Sequence, residues 1–136
     1  MKGEIIAVGT ELLLGNIVNT NAQYLSQKLA DLGIDVYYHV VVGDNLKRLT
    51  ETIKTSLERS DIVITSGGLG PTADDITKEG AAQAMGLKLL PDEESIERIK
   101  KIFITTGRIM TENNIKQGYI PEGTVVLENN NGTAPG

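Results

Sequence analysis

The sequence has no cysteine and no tryptophan, and only one histidine and one phenylalanine among its 136 residues. Without cysteine there can be no disulfide framework, thiolate zinc site or cysteine nucleophile, and a single histidine excludes a His-rich metal site. Any metal must be held by oxygen. Aromatic residues make up 4% of the chain, so base-stacking platforms are scarce. Nor is there a basic stripe to track a phosphate backbone: Lys and Arg number 13 against 18 Asp and Glu, for a formal charge of −5. Nucleic acid is therefore not expected as a partner. Apolar runs are a few residues long, far short of the roughly 18 needed to span a bilayer. The Met1-Lys2-Gly3-Glu4 start lacks a signal-peptide pattern. A cytoplasmic chain with no membrane partner is the expectation.

What is present suits a single α/β domain. The mass is 14.6 kDa, and the length fits one unit at roughly 100 to 200 residues per domain. Hydrophobic residues are 40% of the chain, drawn mainly from Ile, Leu, Val and Ala. Glu4 to Gly9 is a short apolar run ending in glycine, as in a strand buried on both faces of a parallel sheet. After Thr10 to Val18, Asn19-Thr20-Asn21 offers N-cap oxygens. Ala22, Leu25, Leu29 and Leu32 then follow at helical spacing until Gly33. Ile34 to Gly43 reads as a second strand, and Asp44 or Asn45 caps a helix with Leu46, Leu49, Ile53 and Leu57 on its apolar face. Asp61 to Ser66 is a third strand. A helix over Ile76 to Met85, a short strand at Leu87 to Leu90 and a helix capped by Asp92 follow, then a helical turn near Asn113 to Gln117 and a last strand at Thr124 to Glu128. This alternation predicts a three-layer α/β/α sandwich with a mostly parallel sheet.

The segment Thr65 to Thr77 carries the most chemistry. Gly67, Gly68 and Gly70 fall where a strand hands over to a helix, the position at which open α/β sheets bind ligands and glycine amides approach anions. Phosphate is the natural guest. Asp74 and Asp75 would repel a bare phosphate unless a divalent cation such as Mg²⁺ lay between them. The alternative is structural: Thr72-x-x-Asp75 resembles a capping box, and either aspartate could simply cap the helix. Gly68-x-Gly70-x-x-Ala73 matches the loose dinucleotide fingerprint, but Pro71 disfavours a helical Gly70, and the P-loop pattern fails for want of Gly-Lys-Ser/Thr. Thr10, Glu11, Gly15, Asn16, Asn19 and Asn21 after the first strand, and Gly43-Asp44-Asn45 after the second, are further candidate ligand groups, with helix capping as the alternative for Asn21 and Asp44. His39 alternates with apolar neighbours and reads as structural.

Four ordered motifs, Gly9 to Asn21, Val42 to Asn45, Thr65 to Thr77 and Gly132-Thr133-Ala134-Pro135-Gly136, resemble the N-terminal domain of the CinA, or competence/damage-inducible, family. The Gly-Gly-x-Gly-x-Thr-x-x-Asp core is shared with the wider molybdopterin-binding group of MoaB, MogA and gephyrin. The resemblance spans residues 1–136 and implies a molybdopterin-binding-like fold with a phosphate-bearing ligand over the glycine turn. It implies metal-dependent hydrolysis of ADP-ribose or a related nucleoside diphosphate sugar to AMP and a sugar phosphate. The other readings are molybdopterin adenylyl transfer, or nucleotide binding without catalysis. Carried onto this sequence, it implies Asp75 at the metal and Asp44 within the site; in the hydrolase reading Asp75, with Asp74 as second choice, would hold Mg²⁺ or a similar cation, and Asp44 or Glu11 would orient or deprotonate the attacking water. Thr10, Asn21, Gly67, Gly68, Gly70, Thr72 and Thr133 would line the nucleotide site. The family's separate C-terminal deamidase domain and a later Leu-Pro-Gly-x-Pro loop are not in this sequence, which reads as a truncated domain. A homo-oligomer is compatible with the resemblance, though no residue pattern demands one.

Overall fold

The computed structural model describes all 136 residues. Its elements are β1 (Lys2–Val8), α1 (Thr10–Leu13), α2 (Thr20–Asp31), β2 (Asp35–Val42), α3 (Leu46–Arg59), β3 (Ile62–Ser66), α4 (Thr77–Met85), β4 (Leu89–Pro91), α5 (Glu93–Thr106), α6 (Glu112–Lys116) and β5 (Tyr119–Pro121). The main sheet has the order β2-β1-β3 with all strands parallel, and β4 and β5 form a separate antiparallel pair. Ile6 lies opposite Val40 on one side and Thr65 on the other, which puts the apolar run of β1 at the centre of the sheet. No helix is long and apolar enough to cross a membrane.

Successive side chains of β1 leave the sheet on opposite faces and so feed two cores. Ile6 and Val8 join Val42, Leu49 and Ile53, with Ile76, Ala81 and Ala84 packed around them, beneath α3 and α4. Ile5 joins Ala22 and Leu29 under α2. This is the three-layer α/β/α arrangement. Ile5 and Ile6 are 1% and 0% exposed, and burying each stabilises the fold by about 1.5–3 kcal/mol.

Glu4, at the head of the apolar run of β1, is fully buried. Its Oε1 accepts from Ser56 Oγ at 2.7 Å and Arg59 Nη2 at 2.6 Å, while Oε2 accepts from Arg59 Nε at 2.9 Å and Ser60 Oγ at 3.1 Å. The Arg59 guanidinium also lies 3.8 Å from the centroid of the Tyr38 ring. Burial raises the Glu4 pKa, but bonds from Arg59, Ser56 and Ser60 outweigh it and hold the carboxyl below its ordinary value. The pair fastens the start of β1 to the end of α3, away from the sheet edge where the glycine turn lies.

Helix capping selects among the residues that the sequence offers. Asn19 caps α2 by accepting from Ala22 N at 3.1 Å, and Asn45 caps α3 through Arg48 N at 3.0 Å, so neither Asn21 nor Asp44 is a cap. Asp92 caps α5 through Ser95 N at 2.9 Å, as expected. Thr124–Glu128 is not a strand: Val125 and Leu127 are exposed, and the segment's pairing is limited to an exchange of amide and carbonyl between Leu127 and Gly136 at 2.8 and 2.9 Å. The outer edges of β2 and β3 stay unpaired, so β-branched composition alone does not make this segment a strand; β propensity expresses itself only on a pleated, partnered surface. The last strand is instead Tyr119–Pro121, antiparallel to β4. Thr10–Leu13, within a stretch that reads as a connection in sequence, folds into the short helix α1.

Candidate functional site

Parallel pairing brings the carboxyl ends of β1, β2 and β3 to one edge, so Thr10 and Glu11, Asp44, and the Gly67–Gly70 turn gather there. Gly67 has φ +96°, and a Cβ on it would lie 2.2 Å from the Val8 carbonyl oxygen. Gly68 has φ +65°, and a Cβ there would lie 2.3 Å from Thr77 Oγ1. At Gly70 the obstacle would be Asp75 Oδ2, at 2.5 Å. Each of the three glycines therefore has a packing reason, and their number does not by itself argue for a ligand. Their hydrogen bonding is more informative. Thr77 draws the turn's carbonyls toward α4: its hydroxyl donates to Gly67 O at 2.7 Å and its amide to Gly68 O at 3.0 Å. The amides of Gly67, Gly68 and Leu69 donate to no acceptor in the chain. Free amides beside a helix start are the kind of donor an anion uses.

Asp75 belongs to the turn and does not cap α4, whose N-cap position is Ile76. Asp75 Oδ2 accepts from Thr72 N at 2.9 Å and Thr72 Oγ1 at 2.6 Å. This is the backward-reaching half of a capping box, closed on a turn outside the helix. Partial burial works to raise the Asp75 pKa; the Thr72 hydroxyl, the Thr72 amide and the Gly70 amide overcome it and keep the carboxylate ionised below its ordinary range. Asp74 is exposed. No group of three His, Cys, Asp or Glu side chains converges anywhere in the chain. The donor set is thus not a protein cage. A cation here would have to take most of its oxygens from a ligand's phosphates and from water, as Mg²⁺ commonly does.

The predicted residues do not line one pocket. Gly68, Gly70, Thr72 and Asp75 line a cleft with Lys78, Glu79, Asn113, Lys116 and Gln117. Glu11, Asn21, Ser66 and Gly67 line a neighbouring cavity, where Asn21 Nδ2 donates to Ser66 Oγ at 3.0 Å. Thr10 and Asp44 line a third, open groove. There Asp44 Oδ2 accepts from Thr10 N at 3.1 Å and Thr10 Oγ1 at 2.8 Å, and the Asp44 amide returns a bond to Thr10 Oγ1 at 3.1 Å. Asp44 thereby fixes the entry into α1. Thr133 faces a separate cleft with Arg98 but reaches the glycine turn through Gln117. His39 is exposed and lies 2.7 Å from Ser26 Oγ through Nε2; the Ser26 hydroxyl is committed to Ala22 O at 2.8 Å, so the ring donates to it.

Among the cleft residues that sequence reasoning missed, Lys78 and Gln117 make bonds across the cleft. Lys78 Nζ donates to the carbonyls of Lys116 and Gln117. Burial pushes its ammonium below the ordinary lysine value, with Glu79 opposing in part. A lysine in the first turn of a helix works against the dipole, and that misfit was the available signal. Gln117 is buried and bonds Leu69 O, far away in sequence. No local pattern marks it.

A family model described as "Probable molybdopterin binding domain" matches residues 4–127. The chain is 60% identical over its full length to a protein of Acetivibrio thermocellus named as a putative competence-damage inducible protein, of which it covers 33%. It spans about a third of the length of the curated relatives it matches. The crystal structure of a CinA protein of unknown function from Thermoplasma acidophilum superposes with a TM-score of 0.91 at 40% identity, over 99% of this chain and 79% of the other. The molybdopterin biosynthesis enzyme MoaB from Thermus thermophilus gives a TM-score of 0.57 at 17% identity, over 88% of this chain and 78% of its own, a likeness of fold alone.

Proposed function

Because the chain belongs to the molybdopterin-binding domain family, we propose that it binds a phosphate-bearing ligand of the molybdopterin or adenine-nucleotide type at the Gly67–Gly70 turn. The single observation that carries this reading is the set of amides of Gly67, Gly68 and Leu69, which have no acceptor in the chain. In this reading they donate to phosphate oxygens and the positive end of α4 adds to the attraction. The Lys78 ammonium, anchored by two carbonyls and carrying three donors, turns its remaining N–H to the same anion. Thr72 and Gly70 hold Asp75 ionised at the rim. Asp75, with Asp74, would hold a divalent cation shared with the phosphates, which when bound would neutralise their charge.

A second reading is cleavage of a nucleoside diphosphate sugar such as ADP-ribose. What supports it is the ionised Asp75 next to an anion turn, together with the full-length similarity to competence-damage inducible proteins. In that case Glu11 or Asp44 would orient water. Asp44 already accepts two bonds from Thr10, which leaves the exposed Glu11 the freer of the two. Calorimetric titration of ADP-ribose with and without Mg²⁺, followed by chromatography of the recovered nucleotide, separates the readings. Binding with intact ADP-ribose supports a binding domain, release of AMP and ribose 5-phosphate supports the hydrolase, and no binding of ADP-ribose, ADP or pyrophosphate would overturn the proposal.

A further inference from the structure

We infer that Gln117 is a positioning residue that joins the glycine turn and the Gly132–Gly136 segment into one binding unit. This role rests on the proposed anion site at the turn and adds a second wall to it. The Gln117 residue is 3% exposed, and both ends of its side-chain amide are used. Nε2 donates to the Leu69 carbonyl at 3.3 Å, and Oε1 accepts from the Thr133 hydroxyl at 3.1 Å. A buried amide left half satisfied costs free energy, so each bond holds the other end in register.

The bond to Leu69 acts where the ligand would sit. A peptide unit is planar and trans, so fixing the Leu69 carbonyl also fixes the Gly70 N–H, which points the opposite way within the same plane. That amide is one of the groups that keep Asp75 ionised. At the other end, Thr133 is not on a loose tail. Asn129 Nδ2 donates to Ala134 O at 2.9 Å, and Leu127 and Gly136 exchange amide and carbonyl, closing the segment on itself. Lys78 grips the Lys116 and Gln117 carbonyls, so the backbone of Gln117 is anchored to α4 as well. The side chain is thus a short rigid strut between two elements far apart in sequence. An anion that orders the turn would order Thr133 with it.

The test needs amide spectra of wild type, Thr133→Val, Thr133→Ser, Gln117→Leu and the double variant Thr133→Val/Gln117→Leu, first without ligand. The strut predicts that Thr133→Val shifts the Leu69 and Gly70 amides, that Thr133→Ser restores the wild-type positions, and that Thr133→Val adds no such shift in the Gln117→Leu background. Pyrophosphate affinity should fall about tenfold in Thr133→Val and Gln117→Leu alike, and no further in the double variant. The inference is overturned if Thr133→Val leaves Leu69 and Gly70 unmoved, or moves them equally in both backgrounds. Should Gln117→Leu not fold, Gln117→Glu keeps the acceptor for Thr133 and removes the donor to Leu69, and the same loss of coupling is required. Coupling without any pyrophosphate binding would sink the proposed function and leave the strut standing. Pyrophosphate binding without coupling would do the reverse.

Discussion

Thr72 gives both its amide and its hydroxyl hydrogen to one oxygen of Asp75, at 2.9 and 2.6 Å. The two residues close a small loop on the rim of the glycine turn, and the loop keeps a carboxylate charged beside the acceptor-free amides of that turn. Asp75 has a folded pKa below its ordinary value, so its contribution to stability is fully present above the unfolded pKa of about 3.9 and is lost as pH falls through the folded value. Thr72→Val removes the hydroxyl donor. It should cost less than about 1 kcal/mol near neutral pH, since Asp75 is partly exposed and the bond is solvent-screened. The difference from wild type should shrink below about pH 4. Urea midpoints between pH 3 and 7 measure it, and a difference independent of pH would count against the link.

Gly67→Ala should destabilise by about 2–4 kcal/mol, because it combines a left-handed backbone with a Cβ driven into the Val8 carbonyl. Gly86 has a similar positive φ of +68°, but an added Cβ there would meet nothing within 4 Å. Gly86→Ala should therefore cost only about 1 kcal/mol. Equal urea midpoints for the two variants would show that the Val8 contact is not tight.

Glu4→Ala should cost about 2–4 kcal/mol, as it strands Arg59, Ser56 and Ser60 without their shared acceptor. The figure sits low in the range for buried pairs because the Arg59 side chain is 37% exposed. Chemical denaturation checks the magnitude. Anion binding should be unchanged, since the pair lies away from the glycine turn.

Lys78→Met should weaken pyrophosphate binding about tenfold or more, the worth of a charge-assisted hydrogen bond. It should also flatten the salt dependence of that binding. Calorimetry at two ionic strengths reads both effects, and undiminished affinity would remove Lys78 from the site.

The parallel layout was legible because β1 and β3 are short apolar runs that end at glycine-bearing turns, and because α2, α3 and α5 carry apolar residues at helical spacing. The glycine turn was legible for the same reason. Less was visible where chemistry depends on contacts across sequence. Asp44 and Asn21 look like caps in one dimension, yet they bond Thr10 and Ser66. Lys78 and Gln117 meet in the cleft at the end of α6, which no local signal connects to the turn. Val125 and Leu127 have strand composition yet are exposed and belong to neither sheet.

The most direct test of anion binding at the turn is a titration of the ¹⁵N-labelled chain with inorganic pyrophosphate, followed amide by amide. Saturable shifts are expected, largest at Gly67, Gly68 and Leu69, whose N–H groups have no acceptor in the chain. Saturation that leaves those three amides in place, or no saturable response anywhere, would contradict it.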